Sequence, residues 1–314
     1  MLISCQQQDS STKAGASAID GNRQSEGAGL RVLTTIAPLY SYVKNITGDS
    51  ASVQNLLPYG VGPHEYSLSP EDIQKINDAQ IIITNGIKLE AWLGKVLDPE
   101  NKMDGAHPDS KGRVIVNSSR GIEVINGDPH VWLSPKNAIV QVSNILDGLV
   151  RVDPANSEIY INNAARYTER LKTLHNEIET EIAAWPKKEF VTFHSAFLYF
   201  ARDYGLKQVA VIQQRPEENP SPQRIANVIK TIRSLGIKAI FSEPQISPKI
   251  VKAIANDLNI QVYNLDTLES GALYPEWYEV RMRANLEVLK MVLSRPVMKS
   301  PGIHISPEAA PLGK

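Results

Sequence analysis

Three histidines and one aspartate stand where the chain passes from a short apolar run into a loop: His64, His130, His194 and Asp266. Imidazole and carboxylate are the side chains that hold divalent ions when thiolates are absent. Here a thiolate cluster is excluded, because the 314 residues contain one cysteine. His64 follows Pro63 in Pro58-Tyr59-Gly60-Val61-Gly62-Pro63, and His130 follows Asp128-Pro129, so proline and glycine restrain the backbone beside each ring. A single histidine in a loop is more often a surface residue than a ligand. Two of them, each between a strand end and a helix start, are harder to dismiss, because open parallel sheets bind ligands at the carboxyl ends of their strands. The same argument puts His194, directly after Phe190-Val191-Thr192-Phe193, and Asp266, after Gln261 to Leu265, at the rim of a second sheet.

The elements that must position these residues follow one grammar. The runs from Arg31 to Ile36, Val53 to Leu57, Ile81 to Ile83 and Val114 to Val116 read as strands in the first half. Phe190 to Phe193, Gln208 to Ile212, Ala239 to Phe241 and Gln261 to Leu265 do so in the second. Ser69-Pro70, Ser134-Pro135, Ser221-Pro222 and Ser247-Pro248 are helix starts, with serine as N-cap and proline at the first helical position. Strand, loop and capped helix together make a βα unit, so the fold class is α/β with two parallel-sheet lobes.

Between the halves, Pro154 to Trp185 predicts one long helix with Asp153 as its N-cap. Tyr160, Ala164, Tyr167, Leu171, Leu174, Ile178, Ile182 and Trp185 line one face, and Pro186 stops it. At roughly 1.5 Å per residue it would be about 48 Å long, enough to brace two lobes. The divisions are residues 1–29 as a tether, 30–153 as the first lobe, 154–186 as the linking helix, 187–295 as the second lobe and 296–314 as a tail. A last helix from about Pro275 to Leu293, carrying Trp277, Val280, Leu286, Leu289 and Leu293, packs back on a lobe in this reading.

Composition narrows the partners. A formal charge of −1 gives no electrostatic reason to expect nucleic acid. Residues 6–29 are rich in Ser, Gln, Gly and Ala and cannot bury enough surface to fold. Cys5, in Leu2-Ile3-Ser4-Cys5, has the form of a bacterial lipoprotein processing box, and a lipid anchor on Cys5 ahead of such a tether is the expectation. His107 is expected in a solvent-exposed loop, His175 on the flank of the long helix and His304 in the tail; none is expected to bind metal.

Taken in order, Gly62-Pro63-His64-Glu65-Tyr66, Asn85-Gly86 with Leu89-Glu90-Ala91-Trp92-Leu93, Asp128-Pro129-His130-Val131-Trp132-Leu133, His194-Ser195-Ala196-Phe197, Ser242-Glu243-Pro244-Gln245 and Leu265-Asp266 carry a pattern. It resembles the metal-binding solute-binding proteins of bacterial zinc and manganese ABC importers, from Leu30 to about Leu293. The resemblance implies two lobes joined by a rigid helix, with the metal in the cleft between them. It implies ligands at His64, His130, His194 and Asp266. It also implies a monomer outside the cytoplasmic membrane, periplasmic or at the cell surface, that hands its ion to a membrane permease and is not an enzyme. Histidine at the third ligand position is typical of the zinc binders, so Zn²⁺ is the expected ion and Mn²⁺ the alternative. A manganese or iron importer protein on the same scaffold, a surface adhesin or siderophore-type binder, and a zinc-dependent hydrolase are the rival functions.

Overall fold

The computed structural model describes residues 29–64, 66–97, 106–109, 111–214, 219–243 and 249–295. The expectations for Cys5, the tether, the tail with His304, Glu65, Pro244-Gln245 and the Ser247-Pro248 helix start lie outside these residues.

The first half builds strands β1 (Leu30–Thr34), β2 (Ala51–Asn55), β3 (Ile81–Thr84), β4 (Ala106–Pro108) and β5 (Val114–Asn117), in the order β2-β1-β3-β5-β4. Four strands are parallel, and β4 runs antiparallel along the edge of β5. His107 therefore belongs to an edge strand and not to the loop expected for it. Central position explains Ile81-Ile82-Ile83: β3 pairs on both edges and is covered on both faces, so each side chain is buried. The helices here are α1 (Ala37–Thr47), α2 (Pro70–Asp78) and α3 (Pro135–Val152). Ser69 caps α2 in a reciprocal box: its Oγ accepts from Asp72 N (3.2 Å) while Asp72 Oδ2 accepts from Ser69 N (2.8 Å). Ser134 caps α3 by accepting from Asn137 N at 3.2 Å.

The linking helix α4 spans Ser157–Ala183, 27 residues and about 40 Å at 1.5 Å per residue. It is shorter at its start than expected. Pro154–Asn156 form a separate 3₁₀ turn, and Asp153 Oδ2 accepts from Asn156 Nδ2 (2.8 Å) and Tyr160 Oη (2.6 Å) and caps no backbone amide of α4. The anticipated apolar face is the buried one, from Tyr160 through Ile182 to Trp185.

Beyond it, β6 (Glu189–His194), β7 (Lys207–Gln213), β8 (Ala239–Ser242) and β9 (Gln261–Asn264) form an all-parallel sheet in the order β7-β6-β8-β9. Helices α5 (Leu198–Tyr204), α6 (Pro222–Leu235), α7 (Lys249–Leu258) and α8 (Trp277–Leu293) follow among the described residues. Ser221 caps α6 as expected, accepting from Arg224 N at 3.2 Å.

Each sheet has an outer core of its own, with Leu33, Ile82 and Trp92 in one and Val191, Ile240 and Val251 in the other. Their inner faces share a single continuous core that runs from Val32 and Ile81 through the α4 stripe to Phe190 and Phe241. Helix α8, though last in the chain, packs on α1 and α4. Tyr278 meets Tyr42 edge to face at 5.1 Å, and Asn45 Nδ2 donates to Pro275 O (2.7 Å). The buried Glu279 accepts from Arg170 Nη2 (2.8 Å). Val280, expected on the packed face, is 48% exposed instead. A core that crosses both lobes resists a wide hinge, because opening it would expose apolar surface at roughly 25 cal/mol per Å².

Candidate metal centre

Each ring is fixed by the segment that carries it. The β2 exit loop is exposed through Pro58–Gly62 and turns inward at Pro63, whose carbonyl accepts from Trp92 Nε1 at 2.7 Å. His64 follows and is 16% exposed. Trp92 is itself placed by the Asn85-Gly86…Glu90 segment. Buried Glu90 accepts from Thr35 Oγ1 (2.7 Å), Asn85 N (2.6 Å) and Gly86 N (3.1 Å), and burial pushes its carboxyl up despite those bonds. Gly86 has φ +88°, and a Cβ there would collide with Asn117 Oδ1, so glycine is required.

His130 comes out of a tight turn through Asn126 (φ +51°) and Gly127 (φ +74°). Asp128 Oδ1 accepts from the His130 backbone N (2.9 Å) and stands 2.5 Å from Nδ1, which fixes the ring. The neighbouring carbonyls are tied down as well: Tyr199 Oη donates to Asp128 O (2.7 Å) and Asn85 Nδ2 to Pro129 O (2.9 Å). Trp132 Nε1 donates across to Thr267 O at 2.8 Å, joining this loop to the one that follows β9.

His194 ends β6 and is buried, its carbonyl accepting from Thr192 Oγ1 at 2.7 Å. Glu243 Oε1 lies 3.2 Å from His194 Nδ1, without the alignment of a hydrogen bond.

These three rings converge. His64 Nε2 and His130 Nε2 are 3.2 Å apart, and the His194 ring centroid is 5.4 Å from that of His64 and 4.9 Å from that of His130. The carboxylate that meets them is Glu269: its Oε1 is 3.0 Å from both Nε2 atoms. One donor atom from each of His64, His130, His194 and Glu269 lies within 4.8 Å of the other three, a group able to hold a metal ion. Donors around a tetrahedral ion at about 2.0–2.1 Å stand roughly 3.3 Å apart, so no pair needs to close by more than about 1.5 Å.

Asp266, the expected fourth residue, turns elsewhere. Its Oδ2 accepts from Arg281 Nε (3.0 Å) and Nη2 (2.6 Å), and its Oδ1 accepts from Leu268 N (2.8 Å). Its own backbone is clasped by Asn285, which accepts from Asp266 N (2.9 Å) and donates to Asp266 O (2.7 Å). Asp266 therefore shapes the turn in which Leu268 takes φ +59° and Glu269 is presented. An aspartate two residues before an available amide reads equally as a turn cap or as a ligand. The signal for Glu269 was a second carboxylate three residues on in the same loop, whose extra methylene lets it reach further.

The electrostatics are uneven. Burial pushes His130 down, but the carboxylates of Asp128 and Glu269 outweigh it and raise the ring to about 10. Burial, then repulsion from His130, lowers His194 to about 3. Burial alone would raise Glu269; hydrogen bonds from His130 and His64 more than offset it and hold the carboxyl well below its usual range. Burial and the charge of Glu269 push Glu243 well above the usual carboxylate range, so it stands as a neutral acid. His175 lies on the α4 flank as expected, with Nδ1 3.1 Å from Tyr204 Oη.

A family model for ZnuA, described as the periplasmic component A of the zinc-uptake complex, matches residues 32–292. The high-affinity zinc uptake system protein ZnuA of Bacillus subtilis is 33% identical over 299 residues, covering 88% of this chain and 91% of that protein. The zinc-binding lipoprotein AdcA of Streptococcus pneumoniae is 32% identical, and the match covers 93% of this chain but only 60% of AdcA. Among solved structures, the laminin-binding protein Lmb of Streptococcus agalactiae, titled a bifunctional protein with adhesin and metal transporting activity, superposes with a TM-score of 0.74. It is 31% identical, over 84% of this chain and 99% of that one. The binding protein FpvC of Pseudomonas aeruginosa, solved with Mn²⁺, has a TM-score of 0.73 and 29% identity over 84% of this chain and 98% of its own. The chain belongs to the ZnuA family of metal-binding solute-binding proteins of ABC importers, which are binding components and not enzymes.

Proposed function

We propose that the protein binds Zn²⁺ outside the cytoplasmic membrane through His64, His130, His194 and Glu269 and delivers it to the permease of an ABC importer. The observation that carries this reading is the convergence of three imidazoles and one carboxylate on a common centre. Three neutral nitrogens and a single carboxylate make a borderline donor set that suits zinc, whereas manganese prefers oxygen. With Zn²⁺ the shell has a net formal charge of about +1. The relatives named for zinc uptake and zinc binding support the same ion, and the periplasmic and lipoprotein descriptions among them support attachment outside the membrane. Anchoring through Cys5 remains part of this proposal.

Manganese is the second reading, favoured by the FpvC structure with Mn²⁺. The deciding experiment is elemental analysis of protein purified without added metal, followed by competition between Zn²⁺ and Mn²⁺ at limiting protein. One zinc per chain, retained against excess Mn²⁺, is the expected result. Co-purified manganese, with zinc bound only on addition, would overturn the zinc assignment, because zinc outcompetes manganese at most nitrogen-rich sites whatever their role.

A further inference from the structure

A cavity of about 480 Å³ lies against the outer side of the Glu269 loop. It is lined by Tyr59 and Gly60 from the loop that carries His64, and by Asp266 and Ser270 from the loop that carries Glu269, with Trp277 and Arg281 of α8 completing it. Gly60 N donates to Ser270 Oγ at 3.1 Å, so the two ligand-bearing loops, one from each lobe, are stitched together at this cavity. The Asp266–Arg281 pair faces it asymmetrically. The Asp266 side chain is 8% exposed and that of Arg281 39% exposed, so a visitor meets Arg281 first.

Inward, Asp266 holds Leu268 N, and through that turn it fixes Glu269 beside the three rings. Arg281 sits on α8, which the shared core and the Arg170–Glu279 pair keep in place. The pair is thus a tie from a rigid helix to a ligand loop, with its cationic half open to solvent. A carboxylate competing for Arg281 would free Asp266 and loosen the segment bearing Glu269, without moving either lobe.

We propose that Arg281 is a release catch, and that the cavity receives an acidic side chain of the membrane partner, which draws Arg281 off Asp266 and lets the Glu269 loop give up the ion. This rests on the zinc-delivery reading above. An acidic residue is the fitting occupant because the accessible charge is a guanidinium, whose donors match a carboxylate.

The test follows transfer of Zn²⁺ from the loaded full-length chain to a chromogenic chelator by stopped flow, in wild type, Arg281→Gln and Arg281→Lys. Arg281→Gln is expected to release about tenfold faster, the scale set by loss of a charge-assisted hydrogen bond, with Arg281→Lys in between. Sodium acetate should accelerate wild type beyond sodium chloride of equal ionic strength and should leave Arg281→Gln unaffected. Equal release by wild type and Arg281→Gln, or equal acceleration of both by acetate, would overturn the catch. Should Arg281→Gln fail to melt cooperatively, Asp266→Asn replaces it with the same expectation. Failure of wild type to load zinc at all would count against the delivery reading and is seen separately, in the loading step.

Discussion

Asp128 Oδ1 is 2.5 Å from His130 Nδ1, while Nε2 of the same ring points at Glu269 Oε1, 3.0 Å away. The imidazole is thereby suspended between two carboxylates, one ordering it from behind and one sharing its coordination face. An outer carboxylate of this kind fixes the tautomer that offers Nε2 to an ion and makes the nitrogen more basic. Asp128→Asn should therefore weaken zinc binding by roughly 10–100-fold while the fold persists. Competition against a chelator of known affinity, with circular dichroism as the folding control, measures it; unchanged affinity would remove Asp128 from the account.

The two acidic residues of the β9 exit loop should separate cleanly. Glu269→Gln is expected to cost more affinity than the roughly 10–100-fold typical of an outer partner, and Asp266→Asn no more than that range. A cobalt-substituted protein offers a direct check, since loss of a coordinating carboxylate changes the visible absorption of the ion, whereas loss of a turn cap leaves the donor set alone. The reverse pattern would restore Asp266 as the ligand.

Binding should expel protons. In the metal-free protein His130 is held charged up to about 10, and it must be neutral to coordinate, so loading at neutral pH releases its proton. Affinity should then rise with pH across the neutral range and beyond. Calorimetry in two buffers of different ionisation enthalpy gives the number of protons released; a value of zero near pH 7 would contradict the charged His130.

With pH the two buried histidines should pull the stability of the metal-free protein in opposite directions, their joint contribution being greatest near pH 6.5. Glu243, raised in the fold, contributes stability that is lost as pH rises above about 4.5. His130 has a folded value of about 10, above the 6.5 of a free imidazole, so its contribution is complete below 6.5 and is lost as pH rises through 10. His194 has the opposite sign. With a folded value of about 3, its contribution is complete above 6.5 and is lost as pH falls toward 3. Glu269, depressed in the fold, adds stability above its usual 4.5 that also disappears on acidification. Melting temperatures of the metal-free wild type and His130→Gln between pH 6.5 and pH 9 check the largest of these: the difference between them should shrink as pH rises, and a constant difference would refute it.

Gly86→Ala should destabilise the protein by about 1–3 kcal/mol, from a left-handed backbone and the collision with Asn117 together. Since Glu90 and Trp92 hang from that segment and Trp92 holds the Pro63 carbonyl, zinc affinity should fall as well. Denaturant melts and chelator competition on the same variant read both effects.

Local rules carried much of the chain. The Ser-Pro starts of α2, α3 and α6 were legible because a serine cap and a proline at the first helical position act within one turn of the backbone. The buried stripe of α4 was legible because a 3.6-residue period places its members on one face whatever they pack against. His64, His130 and His194 were legible because strand ends in parallel sheets gather at one rim. Edge strand β4 was not, since three residues pairing antiparallel carry too little pattern to stand out from a loop. On α8 the expected packing residues Trp277, Leu286, Leu289 and Leu293 are buried and Val280 is not; what the helix packs against was not legible, because both its partners, α1 and α4, come from far earlier in the chain.

The last distinction is between Asp266 and Glu269. Sequence by itself determined that a carboxylate from the β9 exit loop would face three histidines. It pointed to Asp266, the first acid after the strand, and not to Glu269 three residues on, although either reaches the rim. Tertiary structure decided it by putting Arg281 and Asn285, on a helix that packs against the opposite lobe, within hydrogen-bond distance of Asp266. A charge satisfied by a guanidinium and a turn amide is spent on shape. The next acid along, with no guanidinium beside it, is the one whose carboxylate stands against two of the imidazoles.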